Sequence, residues 1–206
     1  MNPKPGNINN WKDEIEQLRE MSKSHADCKG LIAFYGSSSI RLWENMAKDL
    51  APHNTINLGF GGSSYQWCDY FFGDVFEFIK PSRIVLYAGD NDLGTGTPEN
   101  DIIHSVNNLL TKLAIFYEGI PISIISVKPS PDRLYLKKEI ESLNQKLLKK
   151  TQQIDNGHFI DVYSSMLDSE GNVRPELYLE DELHMNLKGY EIWKSLILQN
   201  LDSTAS

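Results

Sequence analysis

A chain of 206 residues suits one α/β domain with a sizeable core. Its 20 basic and 28 acidic residues leave a formal charge of −8, and no Lys/Arg stripe stands out, which argues against a nucleic-acid partner. Hydrophobic residues make up 40% of the chain, yet no apolar run is long enough to span a bilayer.

The start, Met1 to Gly6, leads into polar sequence with no apolar signal core, and residues 1–9 read as a tail. The cysteines, Cys28 and Cys68, lack metal-like spacing and read as unpaired thiols, the pattern of a cytoplasmic protein. Asn10 can cap a helix from Trp11 to about Ser24, with Trp11, Ile15, Leu18 and Met21 on one face. Gly30 then opens a first strand, whose apolar run Leu31 to Tyr35 breaks at Gly36 into Ser37-Ser38-Ser39. Ile40, Trp43 and Met46 follow at helical spacing, which predicts a helix over about Arg41 to Leu50 that stops near Pro52.

Thr55 to Leu58 reads as a second strand, ending in Gly59-Phe60-Gly61-Gly62-Ser63-Ser64. A helix over Tyr65 to Ile79 closes at Lys80-Pro81. The third strand, Ile84 to Ala88, is continuously apolar, as expected of a strand covered on both faces, and ends in Gly89-Asp90-Asn91-Asp92. A helix from about Pro98 to Tyr117, a fourth strand at Pro121 to Val127, a helix over Tyr135 to Gln153 and a fifth strand at His158 to Val162 come next. In the long helix Lys137, Lys138, Lys149 and Lys150 are interleaved with Glu139 and Glu141, a solvated face rather than a basic binding patch. An irregular stretch carries Asp181-Glu182-Leu183-His184, and a last helix runs from about Leu187 to Leu201. Strands alternating with helices predict an α/β fold of three α/β/α layers, with a flavodoxin-like parallel sheet of about five strands. The order 2-1-3-4-5 is favoured, because it sets the loops after strands 1 and 3 side by side.

The polar and glycine clusters fall at the carboxyl ends of strands 1, 2 and 3 and before the last helix. Each alone has a plain structural reading. The serines can cap a helix, Gly62 can serve a turn, and Asn91 and Asp92 can form one. Gly59, Gly61 and Gly62 do not complete a dinucleotide loop, since the third glycine would fall at Ser64. His25, His53, His104 and His158 have no ligand spacing.

Taken together, Ser, Gly, Asn and Asp-x-x-His in this order resemble the SGNH hydrolase (GDSL-type lipase/esterase) family. The resemblance covers Leu31 to the last helix. Residues 1–29 lie outside it and are read as a tail and helix packed on the domain, while it implies 30–206 as one SGNH-hydrolase-like domain. It also implies Ser38 as nucleophile, His184 as base and Asp181 as the carboxylate that orients it. The oxyanion donors would be the Ser38 N–H, the Gly62 N–H and the Asn91 amide, and Gly189-Tyr190 continues the last block. One departure stands in the first block. The family usually has Asp where this chain has Ser37, so three serines are adjacent and Ser37 or Ser39 stays open as the nucleophile.

The implied activity is a serine esterase or acyl hydrolase acting on a small acyl ester, acetyl first, with no cofactor and no metal. Carbohydrate O-acetyl esters, thioesters and lysophospholipids are candidate substrates, and no long apolar lid segment favours bulky lipid. The alternative is a non-catalytic binding or scaffold protein on the same fold.

Overall fold

The computed structural model describes residues 11–203, so the tail expected at 1–9 and the cap expected at Asn10 lie outside the described residues. Short runs rich in Ile, Leu, Val and aromatics, punctuated by Gly and Pro, form five strands: β1 (Ile32–Gly36), β2 (Thr55–Gly59), β3 (Arg83–Tyr87), β4 (Ile122–Ile125) and β5 (Gly157–Ile160). They pair in parallel in the order β2-β1-β3-β4-β5, the arrangement favoured from sequence.

Nine α-helical segments surround them: α1 (Lys12–Ser24), α2 (Ser38–Arg41), α3 (Met46–Asp49), α4 (Tyr65–Val75), α5 (Asp90–Gly94), α6 (Glu99–Phe116), α7 (Lys137–Thr151), α8 (Val162–Ser165) and α9 (Leu187–Ser203), counted among the described residues. Every residue of β1 and β3 is buried, and alternate side chains enter opposite layers. Ala33, Tyr35, Ile84 and Leu86 pack with α1, α4, α6 and α7, whereas Phe34, Val85 and Tyr87 pack with α9 and the short α2, α3 and α8. The fold is therefore a three-layer α/β/α sandwich. Among the described residues no helix is long and apolar enough to cross a membrane.

Several boundaries differ from the sequence expectation. The single helix expected over 41–50 is two turns, α2 and α3, parted at 42–45. The break lets Trp43 stack on Tyr190 with ring centroids 5.4 Å apart, while its indole N–H reaches Asp49 at 2.8 Å. The strand expected to run on to Val127 ends at Ile125, and a 3₁₀ segment, Pro131–Leu136, precedes α7. The helix expected to continue to Ile79 ends at Val75. The buried face of α1 also turns by one position. Met21 is 38% exposed, and Ser22 is buried instead, its hydroxyl donating to the Val75 carbonyl. Positions 11, 15, 18 and 22 keep the helical stripe, so Ser22 ties α1 to α4 by a polar bond where an apolar contact was expected.

Candidate active site

The strand pairing brings three loops to one edge. Gly36 is in register with Gly59 on one side and Tyr87 on the other. The Gly36 carbonyl accepts from Phe60 N–H at 2.9 Å, and Ser37 N–H donates to the Tyr87 carbonyl at 2.9 Å. The loops after β1, β2 and β3 therefore start from a fixed common line. Ser37 then takes an extended conformation, and α2 begins at Ser38. As the first residue of that turn, Ser38 has no intrahelical acceptor for its N–H, and neither it nor the Gly62 N–H donates to an acceptor among the described residues.

Of the three serines, Ser37 and Ser39 are buried, at 2% and 4% exposure, and Ser38 is half-buried. The Ser38 hydroxyl lies 3.0 Å from His184 Nε2, and His184 Nδ1 lies 2.6 Å from Asp181 Oδ2. Asp181 Oδ1 accepts from the N–H groups of Leu183 (3.0 Å) and His184 (2.9 Å), which locks carboxylate and imidazole into one tight turn. Burial acts to raise the Asp181 carboxyl, but the donations from the His184 ring, the His184 N–H and the Leu183 N–H outweigh it and hold the group down at about 2. The carboxylate is therefore charged beside the imidazole at any ordinary pH.

The turn is secured from outside. Leu179 N–H donates to the His184 carbonyl at 2.8 Å, the Tyr178 and Met185 backbones bridge, and Asp132 N–H reaches the Glu182 carbonyl at 3.1 Å. At the apex Glu182 adopts φ 57°, a left-handed conformation unfavourable for a residue with a Cβ, which these surrounding bonds impose.

On the other flank Asn91 sits in α5, and its amide donates one hydrogen to the Ser63 carbonyl at 2.9 Å. The second amide hydrogen is the one left for a ligand. The Ser63 contact joins the β3 loop to the β2 loop one residue from Gly62, whose φ of 67° puts its backbone in the left-handed region. Asp90 anchors α5 from below, with Lys128 Nζ at 3.3 Å and Arg133 Nε at 3.5 Å, a buried ion cluster that the sequence did not suggest. Among the described residues no group of three or more His, Cys, Asp or Glu could hold a metal ion.

The profile of the GDSL-like lipase/acylhydrolase family matches residues 31–192. The chain belongs to that family. It is a hydrolase of the SGNH type. Curated proteins gave no match. Among solved structures, a Bacteroides fragilis acylhydrolase is similar at a TM-score of 0.77 and 21% identity, covering 98% of this chain and 99% of its own. A GDSL-like lipase of Bacteroides thetaiotaomicron is similar at 0.70 and 23%, covering 96% and 98%. A Streptococcus pneumoniae structure described as a platelet activating factor is similar at 0.79 and 20%, covering 94% and 96%.

One buried group of this GDSL-type chain was read from sequence only as a turn residue. Asp92, 1% exposed, accepts the Tyr65 N–H at 3.2 and 3.1 Å and so fixes the start of α4 beside the site. Burial raises its carboxyl to about 7 against the pull of the N–H donors of Tyr65, Asp92 and Gly89. A folded value above the ordinary carboxylate value of about 4 stabilises the fold at low pH. That contribution is complete below about 4 and is lost as pH rises through about 7. Replacing Asp92 by Asn is thus expected to flatten the fall in Tm from acidic to mildly alkaline pH, read by thermal melts. An unchanged slope would contradict it.

Proposed function

We propose that the chain is a serine esterase that cleaves short acyl esters, acetyl first, through an acyl-enzyme formed on Ser38. The observation that carries this reading is the unbroken relay from Ser38 Oγ through His184 to Asp181, at 3.0 and 2.6 Å. A serine hydroxyl is a poor nucleophile without an adjacent base. In the proposed reaction His184 Nε2 takes the Ser38 proton as Oγ bonds to the ester carbon. Asp181 holds the Nδ1–H tautomer and balances the imidazolium charge.

The carbonyl oxygen becomes an oxyanion that accepts from the Ser38 N–H, the Gly62 N–H and the second Asn91 amide hydrogen. Collapse expels the alcohol, which leaves with the proton from His184. Water then enters, giving its proton to His184 and its oxygen to the acyl carbon. The second collapse frees the acid and returns the proton to Ser38. Removing one such oxyanion donor costs about 2.7–4 kcal/mol of barrier.

The acyl preference is supported by the connections that carry these residues. Those that carry Ser38, Gly62 and Asn91 are short, and the longer stretch between α8 and α9 that carries Asp181 and His184 is tied down by the backbone bonds from Leu179 to His184 and from Asp132 to Glu182. A fluorophosphonate probe, followed by peptide mapping, is expected to label Ser38 alone among the three adjacent serines. Labelling at Ser37 or Ser39 would overturn the assignment. No labelling, together with no turnover of an activated acetate, would instead favour a non-catalytic binding role.

A further inference from the structure

Helix α1 lies outside the family match, which begins at residue 31. Its first turn reaches the loop that carries Gly62. The Trp11 indole N–H donates to the Gly61 carbonyl at 2.5 Å, and the Glu14 carboxylate accepts the Gly61 N–H at 3.1 and 3.2 Å. Glu14 in turn faces Arg41 Nε, at the end of α2, at 3.5 Å. The indole is itself held, with its ring centroid 4.6 Å from that of Trp67 and 6.1 Å from that of Phe60.

The Gly61 carbonyl and the Gly62 N–H belong to one planar peptide unit and point in opposite directions. Whatever grips the carbonyl therefore aims the N–H. Two successive glycines would otherwise let that plane rotate cheaply. Donation to the carbonyl also polarises the amide and strengthens its N–H as a donor. We propose that Trp11, assisted by Glu14, is a positioning residue that aims the Gly62 N–H at the oxyanion, so that the amino-terminal helix completes the site. The inference rests on Gly62 being an oxyanion donor, as proposed above.

Trp11→Phe keeps an aromatic ring in place and removes the donor. Its kcat on an activated acetate is expected to fall about tenfold with KM within about twofold, a fraction of the loss seen when an oxyanion donor is removed outright. Affinity for a boronic acid that forms a tetrahedral adduct with serine should fall by the same factor, a readout that lost packing alone would not move. Glu14→Gln, which keeps an acceptor for the Gly61 N–H, should retain more activity than Glu14→Ala. Should Trp11→Phe also lower Tm, benzothienylalanine at position 11 keeps the ring shape without the N–H and decides the matter. Wild-type kcat and boronate affinity in that protein, with Ser38→Ala inactive, overturn the role of Trp11 and leave the Ser38 reading intact. Full activity in Ser38→Ala overturns the underlying reading instead.

Discussion

Ser38→Ala is expected to lower kcat on an activated acetate by about four orders of magnitude or more, with little change in Tm. The hydroxyl is half-buried and its hydrogen-bonding partner is the His184 ring, so its removal leaves no cavity in the sheet core. What disappears is the atom that would bond to the acyl carbon, and no neighbour replaces it. Ser37 and Ser39 are buried on either side, and it is Ser38 whose hydroxyl stands 3.0 Å from the imidazole. Ser37→Ala and Ser39→Ala therefore make informative partners, each expected to keep most of the turnover. Steady-state kinetics on the three proteins, with melts to verify folding, give the answer. Comparable rates in Ser38→Ala and wild type would dismiss it as nucleophile.

Gly36→Ala should be among the most destabilising single changes available, at about 4 kcal/mol or more. A Cβ there would lie 1.8 Å from the Tyr87 carbonyl oxygen and 2.7 Å from its carbon. Neither strand can retreat, because Gly36 is paired in register with Gly59 and Tyr87, and Ser37 N–H holds the same Tyr87 carbonyl. The residue's φ of 153° adds a backbone cost for any side chain. Gly73 provides the contrast. It lies in α4 with nothing within 4 Å of an added Cβ, so Gly73→Ala should stabilise by about 0.5–1 kcal/mol. Denaturant midpoints measure both. A Gly36→Ala protein as stable as wild type would mean that the sheet edge yields far more readily than its ladder implies.

The strands β1, β3 and β4 were legible because each is a short, largely apolar run stopped by Gly, Pro or a polar cluster, as burial on both faces demands. The edge strands β2 and β5 are only partly buried and carry a weaker pattern. The polar blocks were legible for a related reason, since each follows a strand end where a parallel sheet gathers its loops. The break at residues 42–45 was hidden, because Ile40, Trp43 and Met46 are spaced as in an unbroken helix and all three are buried as such a helix would bury them. The break goes with the partners of Trp43, chiefly Tyr190 and Trp193, which are distant in sequence on α9. The same limit hid the link from Trp11 and Glu14 to Gly61, which bridges 50 and 47 positions of chain. Trp11 read as one more apolar residue on a helix face, and nothing local marks an indole that grips a carbonyl.

Asp181 and His184 share a single exposed turn, braced at Leu179, Glu182 and the Tyr178–Met185 bridge. The proposed base and its charge partner thus reside in one cassette whose own side chains stand outside the hydrophobic interior, although Tyr178 and Met185, which close it, are rooted there. If the proposed roles hold, an inherited lesion confined to Asp181 and His184 would silence chemistry while sparing the scaffold. Descendants of such an ancestor would look identical in outline yet differ in whether they turn over anything at all.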